Sequence, residues 1–315
     1  MPDTSLPKTA ADGDAGQGGG PVPRSTALVL LLLVILLWGV NWPVMKEVVG
    51  HMPPLTFAAS RLLLGALSLL AFAAATRQLR VPHRGDLPLL LSVGFMQMTV
   101  FTLLVTVAVQ HVPAGRAGIL AYTTPLWVVP LALVFLGERV GWLKALGLLV
   151  GLAGVLVLFN PSAFDWAAPP VLLGNGLLML AALIWAVNIV HVRAHRWIGT
   201  PLTLAPWQMG MAALLATAVA LALEDVSRID WSGHLVVLLV YNGPIATAFC
   251  FWAMVTVNRA LPAITTSLAM LGVPVVGLVV SALWLGEPLT LTNLAGLGLI
   301  GAGLAAVALA DTRRA

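Results

Sequence analysis

From about residue 26 the chain is a succession of apolar runs, each about twenty residues long, separated by short polar breaks. A run of ~20 apolar residues carries a helix across a ~30 Å hydrocarbon core. Hydrocarbon offers the backbone no hydrogen-bond partners, so a spanning segment is either a helix or a strand of a closed barrel. Barrel strands alternate apolar and polar residues with period two. These runs are continuous, as in Ala27-Leu28-Val29-Leu30-Leu31-Leu32-Leu33-Val34-Ile35-Leu36-Leu37. The reading is an all-α, polytopic membrane protein. Composition agrees: 9% of residues are charged, against roughly a quarter in a soluble domain.

Ten transmembrane helices are expected near 26–48, 54–75, 87–110, 114–136, 141–159, 170–192, 201–223, 234–257, 263–285 and 289–310. Proline and glycine punctuate the joints, at Met52-Pro53-Pro54, Asn160-Pro161, Gly199-Thr200-Pro201 and Gly286-Glu287-Pro288. With the N-terminus inside, eleven Lys and Arg fall in cytoplasmic segments: Arg24, Arg77, Arg80, Arg84, Arg139, Lys144, Arg193, Arg196, Arg259, Arg313 and Arg314. Only Lys46, Arg116 and Arg228 then fall outside. The positive-inside rule therefore places both termini in the cytoplasm. This placement also accounts for the formal net charge of +4 without nucleic acid. Residues 1–25, rich in Gly, Asp, Pro, Ser and Thr, read as a disordered cytoplasmic tail rather than a signal peptide. Residues 311–315 form a short cytoplasmic C-terminal tail. Cys250, the single cysteine, excludes an internal disulfide.

The chain repeats itself. Trp38-Gly39-Val40-Asn41 recurs as Trp185-Ala186-Val187-Asn188, and Pro54-Leu55-Thr56 as Pro201-Leu202-Thr203, with Arg61 falling on Gln208. Slightly shifted, Pro113-Ala114 matches Pro262-Ala263, Pro125 matches Pro274, Gly137-Glu138 matches Gly286-Glu287, and Gly147 and Gly154 match Gly296 and Gly303. The expected units are 26–160 and 161–310, five helices each. An odd number of helices inserts the second unit upside down. Such inverted repeats are a signature of secondary transporters, with the substrate site between the halves near midplane.

These residues resemble the EamA-type branch of the drug/metabolite transporter (DMT) superfamily. The resemblance rests on the segments Trp38 to Lys46, the stretch around Arg61, Pro113 to Val140 and its partner Pro262 to Leu289, and it spans about residues 26 to 310. It implies a ten-helix exporter of metabolites, often amino acids or their derivatives, in the bacterial inner membrane. Within the family the YddG-like exporters of aromatic and neutral amino acids look closest.

Polar side chains at membrane depth need a partner or a wet cavity. Asn41 and Asn188 occupy equivalent positions and either offer amides to a substrate or bond between helices. Trp38, Trp42 and Trp185 either wall a cavity, giving apolar and cation–π surface, or simply pack. Gln97, Tyr122, Tyr241 and Asn242 are further substrate-binding candidates, and Asn242-Gly243-Pro244 is expected to unwind its helix locally. Pro43, Pro125, Pro130, Pro244 and Pro274 interrupt helices, as flex points for gating or as static kinks. Arg61 could hold a substrate carboxylate, but a structural role is favoured because Gln208 replaces it in the other half. Glu138 and Glu287 are read as fixed polar contacts at helix ends. Gly147-x-x-x-Gly151 and the glycines of the last helix permit close packing, within the bundle or between subunits.

No Asp or Glu falls near the middle of a span and no phosphate-binding Walker loop exists. The expected mechanism is alternating-access facilitation or exchange, not ATP hydrolysis or strict proton coupling. No cofactor and no metal site is expected. The partners are a small-molecule substrate and membrane lipid, the chain being a monomer or weak dimer. Carriage of another cargo (a drug or cation, a nucleobase or a sugar derivative) is the alternative. A membrane enzyme is disfavoured, because no acidic or histidine cluster gathers beyond the His191, Arg193, His195 and Arg196 flank.

Overall fold

The computed structural model describes residues 20–111, 120–121, 123–159, 169–285 and 290–312. Among them every regular element is helical. In chain order these are α1 (Arg24–Val48), α2 (Pro54–Ala75) and α3, a composite of Arg84–Asp86, Leu87–Leu89, Leu90–Val100 and Phe101–His111. Then follow α4 (Thr124–Phe135), α5 (Trp142–Phe159), α6 (Pro169–Ala194) and α7 (Pro201–Leu223). The last are α8 (Gly233–Val240, Tyr241–Phe249 and Cys250–Ala260), α9 (Ala263–Ala269 and Gly272–Leu285) and α10 (Leu291–Thr312). Seven of them, α1, α2, α3, α6, α7, α8 and α9, are long and apolar enough to cross a membrane. The others have shorter apolar stretches, Thr124–Phe135, Trp142–Val157 and Leu294–Val307. Large apolar side chains such as Val134, Leu149, Leu214, Leu283 and Leu291 stand exposed on the outer faces, the arrangement lipid tails favour. The chain is thus a multi-pass membrane protein.

Local chemistry sets the helix starts. Pro54, Pro169 and Pro201 each open a helix, where a missing N–H costs nothing. Thr200 and Thr203 add a reciprocal capping box to α7. At three helix starts, free N–H groups are met by carboxylates from far along the chain. Glu224, just after α7, accepts the N–H groups of Leu55 and Thr56 at 2.8 and 2.7 Å and the Thr56 hydroxyl at 2.8 Å. Asp86, fully buried, accepts Gly199 N–H at 2.7 Å and Ile198 N–H at 3.2 Å ahead of α7, with His195 Nε2 at 3.2 Å. Glu138 accepts Ala263 N–H at 2.8 Å and Ile264 N–H at 3.2 Å at the start of α9. Carboxylates belong at helix N-termini, where they meet unpaired donors and the positive end of the dipole.

The Gly-Glu motif has a mechanical reading at Glu138. Gly137 takes φ +63°, the left-handed turn that ends α4 and that glycine adopts without strain. The Glu138 N–H then closes onto Ala132 O at 3.2 Å, a glycine-type helix stop. The turn aims the Glu138 side chain across to α9. Glu287 lies outside the described residues.

Two helices are widened to π-helix at corresponding places: α3 over Leu90–Val100 and α8 over Tyr241–Phe249. The unwinding expected at Asn242-Gly243-Pro244 is therefore corrected to a widening. A π turn accommodates the donor lost at Pro244 without freeing the whole backbone. Each widened stretch carries a glycine pressed on a neighbour. A Cβ at Gly243 would meet Leu64 Cβ at 2.4 Å, and one at Gly94 would meet Gln208 O at 2.8 Å. In α9 the break falls at Met270–Leu271. Met270 is four residues before Pro274, the carbonyl that a proline ring displaces. Pro43 and Pro130, by contrast, sit inside continuous α1 and α4.

α5 packs along α10, α2 along α7, and α4 against the first part of α9. α1 lies against the second part of α9 and the last part of α8, while α6 lies against α4 and the last part of α3. The π stretch of α8 seats on α2, and that of α3 on α7. Shifting each helix number by five, counted around ten, maps this set of pairings onto itself: α5–α10, α2–α7 and α4–α9 onto themselves and the others onto one another. At the α5–α10 seam a Cβ at Gly147 would meet Gly303 O at 2.8 Å, one at Gly303 would meet Gly147 O at 2.6 Å, and one at Gly154 would meet Gly296 O at 2.8 Å. These glycines serve packing within the bundle.

Candidate functional site

Between α1, α2, α3, α4, α6, α8 and α9 lies a cavity of about 890 Å³, its open mouth included. α1 presents Trp38, Asn41, Trp42 and Met45 to it, one helical face at spacings of three and four. From α6 come Trp185 and Ile189, and from α3 Phe101, Thr102, Val105 and Thr106. Phe251, Ser267, Met270, Ala121, Thr124, Pro125 and Arg61 complete the wall.

Four aromatic rings form its centre. Trp38 and Trp185 meet edge to face, with ring centres 5.4 Å apart and planes at 70°. Phe251 lies 5.7 Å from Trp38, and Phe101 4.7 Å from Trp185. Phe251 also touches Trp185 at 5.8 Å. Edge-to-face and tilted pairs suit the ring quadrupoles and hold one another rigid. Trp38 is fixed further by its indole N–H, which donates to Ala246 O at 2.8 Å in the π stretch of α8.

Polar groups are few and placed around that centre. The Asn41 amide is 5% exposed and its Oδ1 has no hydrogen-bond partner among the described residues. Thr124 and Ser267 donate their hydroxyls to carbonyls three residues back, Ala121 O at 2.8 Å and Ile264 O at 3.0 Å, leaving oxygen lone pairs to accept. Arg61 is buried at 8% exposure. Its Nε donates to Thr247 Oγ1 at 2.8 Å, one terminal nitrogen approaches Met45 Sδ at 3.5 Å, and its carbon stands 5.7 Å from the Phe57 ring centre. Among the described residues no Asp, Glu, Lys or His lines the cavity.

The structure thus brings together Trp38, Asn41, Trp42, Trp185 and Pro125, and sets other expected residues elsewhere. Asn188 is fully buried and turns its Nδ2 onto Ile184 O at 2.9 Å. Asn242 turns likewise onto Leu238 O at 3.4 Å. The Tyr241 hydroxyl donates to Leu37 O at 2.7 Å and ties α8 to α1. Gln97 is buried in the π stretch of α3, with neither amide atom partnered among the described residues. None of these four lines the cavity. Tyr122 lies outside the described residues. Pro244 lies in the π stretch of α8 and Pro274 beside the α9 break. Gln208, the counterpart of Arg61, donates to Leu89 O at 3.2 Å and stays off the wall.

Phe101, Phe251 and the cavity threonines were missed by the sequence reading. A signal existed: Phe101 followed by Val105-Thr106-Val107 recurs as Phe251 followed by Val255-Thr256-Val257. Arg61 faces the cavity as well as bonding to α8, a combination the structural reading of it did not anticipate.

The EamA-like transporter family model matches the chain over residues 25–160 and again over 172–309. An uncharacterized transporter of Bacillus subtilis, YvbV, is 27% identical, the match covering 89% of this chain and 90% of the relative. A probable terminal-alkyne amino-acid exporter of Streptantibioticus cattleyicolor is 30% identical over 88% of this chain and 92% of its own. A probable amino-acid metabolite efflux pump of Escherichia coli is 29% identical over 88% and 92%. One solved crystal structure shares the fold with a TM-score of 0.74 at 24% identity, covering 92% of this chain and 99% of that one. The chain is a membrane transporter and belongs to the EamA-like transporter family.

Proposed function

We propose that the chain exports small metabolites, neutral or aromatic amino acids first among them, across the bacterial inner membrane by alternating access through the cavity described above. In this reading ten helices span the bilayer as two inverted five-helix halves, residues 26–160 and 161–310, with both termini cytoplasmic. The observation that carries it is the aromatic centre. Trp38 and Phe101 come from one half and Trp185 and Phe251 from the other, so a cargo held there touches both moving parts at once. The double family match and the pairing of helices under a shift of five support the duplication. Relatives near 30% identity, a probable terminal-alkyne amino-acid exporter and a probable amino-acid metabolite efflux pump, support amino-acid cargo.

The halves move against each other about the cavity, with the α9 break and the widened helices as the places that yield. With no acidic side chain in the described wall, the gradient of the cargo itself, or exchange for a second cargo, drives the cycle. Counterflow into proteoliposomes with a panel of labelled amino acids is the test, with uptake of aromatic and large neutral members expected. Uptake of none of them, alongside uptake of a sugar or a drug cation, overturns the reading. Uphill flux on an imposed pH gradient alone would overturn the driving mechanism.

A further inference from the structure

Arg61 is an arginine buried in a spanning helix and bonded only to neutral groups. Among the described residues no carboxylate pairs with it. Glu47, the acidic residue of α1, bonds His234, Oε1 to Nε2 at 2.7 Å. A guanidinium carries five N–H donors. One is fixed on Thr247 and another rests weakly on the Met45 thioether. These contacts orient the group without neutralising it, and the side chain lines the cavity. Charge at membrane depth is expensive and is kept where it pairs or meets a ligand.

We infer that Arg61 is the anion anchor of the cavity, and that the cargo is recognised through one carboxylate carried on an apolar or aromatic body. The inference rests on the amino-acid reading above and sharpens it. A planar fork matches a carboxylate with two parallel hydrogen bonds. The four rings take the body of the cargo, in contact with α1, α3, α6 and α8. The free Oδ1 of Asn41 accepts from an ammonium where the cargo has one, but no acidic side chain in the described wall requires it. The carboxylate is thus the obligatory group and the ammonium an optional one. A single cation balances a single negative charge, so doubly charged dicarboxylates and phosphate esters are disfavoured. Recognition is also lopsided, because the counterpart Gln208 is neutral and does not line the cavity.

The test uses the full chain in proteoliposomes preloaded with unlabelled phenylalanine, with labelled phenylalanine supplied outside together with competitors that share one phenyl body. These are phenylalanine, 3-phenylpropanoate without the amine, and phenylalaninamide and phenethylamine without the carboxylate. 3-Phenylpropanoate is expected to compete within about tenfold of phenylalanine, and the two amines about a hundredfold more weakly, as loss of a charge-assisted pair implies. Arg61→Gln, which installs the residue of the counterpart position, is expected to lose that discrimination, and Arg61→Lys to keep part of it. Should Arg61→Gln fail to fold by gel filtration, the competitor series on the unaltered chain decides alone. Phenylalanine uptake with equal competition by phenylalaninamide, or a folded Arg61→Gln that still discriminates, sinks the anchor and leaves the proposed function standing. If labelled 3-phenylpropanoate exchanges where labelled phenylalanine does not, the anchor stands and amino-acid cargo falls. Exchange of neither sinks both.

Discussion

Trp38 and Arg61 hang from adjacent residues of one π-helical stretch: the indole donates to Ala246 O and the guanidinium Nε to Thr247 Oγ1, both at 2.8 Å. Ring and cation thus share a mount on α8 although they belong to α1 and α2. Thr247→Val keeps the shape of the mount and removes one acceptor. Carboxylate-bearing cargo is expected to bind about tenfold more weakly in counterflow competition, the scale of one charge-assisted hydrogen bond. Unchanged competition would show that the mount does not orient Arg61.

Trp185 touches three rings at once, those of Trp38, Phe101 and Phe251. Trp185→Ala is expected to weaken tryptophan and phenylalanine uptake by tenfold or more, roughly the value of a lost aromatic contact and its apolar area. Trp142→Ala, at a position 72% exposed, should leave uptake unchanged. Equal effects of the two would remove the aromatic centre from the site.

Glu224 meets two backbone donors and one hydroxyl of α2. Glu224→Ala strands those donors, and a loss of about 1–3 kcal/mol is expected. Denaturation in detergent monitored by circular dichroism gives the number. Glu224→Gln, which keeps one acceptor, should fall between. No change in Glu224→Ala would mean that water caps α2 as well as the carboxylate does.

The α5–α10 seam is sharply position-dependent. A Cβ on Gly303 meets backbone of α5 at 2.6 Å, whereas one on Gly298 or Gly301 meets nothing within 4 Å. Gly303→Ala is expected to cost about 1–3 kcal/mol by overpacking, and Gly298→Ala nothing measurable. Detergent melts of both variants check the contrast, and equal melts refute the seam.

Cys250 is the only cysteine and is buried, so Cys250→Ala yields a background for topology mapping. Single cysteines at Gln78 and at Val49, both exposed, should react with an impermeant maleimide from opposite sides of the membrane, Val49→Cys from outside the cell. Labelling of Gln78→Cys from outside would reverse the orientation.

Much of this architecture is legible in the chain. α2 begins at Pro54 and ends at Ala75 as read, because proline at the first turn and a polar Thr76-Arg77 exit mark a helix in any solvent. Trp38 and Trp185, equivalent in the sequence, do meet. Facing does not follow. Asn41 and Asn188 are equivalent in sequence, yet only Asn41 reaches the cavity. A helix apolar all round carries no stripe to say which side turns inward, and neighbouring helices decide it. The π stretch of α3 contains no proline and so gave no warning, unlike that of α8. Phe101 and Phe251 escaped because an aromatic among leucines carries no polarity contrast.

The exchange of caps between the halves has a consequence for synthesis. Leu55 leaves the ribosome 169 residues ahead of the Glu224 that receives its N–H. At roughly 5–20 residues per second that interval is on the order of ten to thirty seconds. During it the N–H groups of Leu55 and Thr56 lack this acceptor, and a chain ending before residue 224 never acquires it. The start of α2 thus reaches its final hydrogen bonding only after residue 224 has been made.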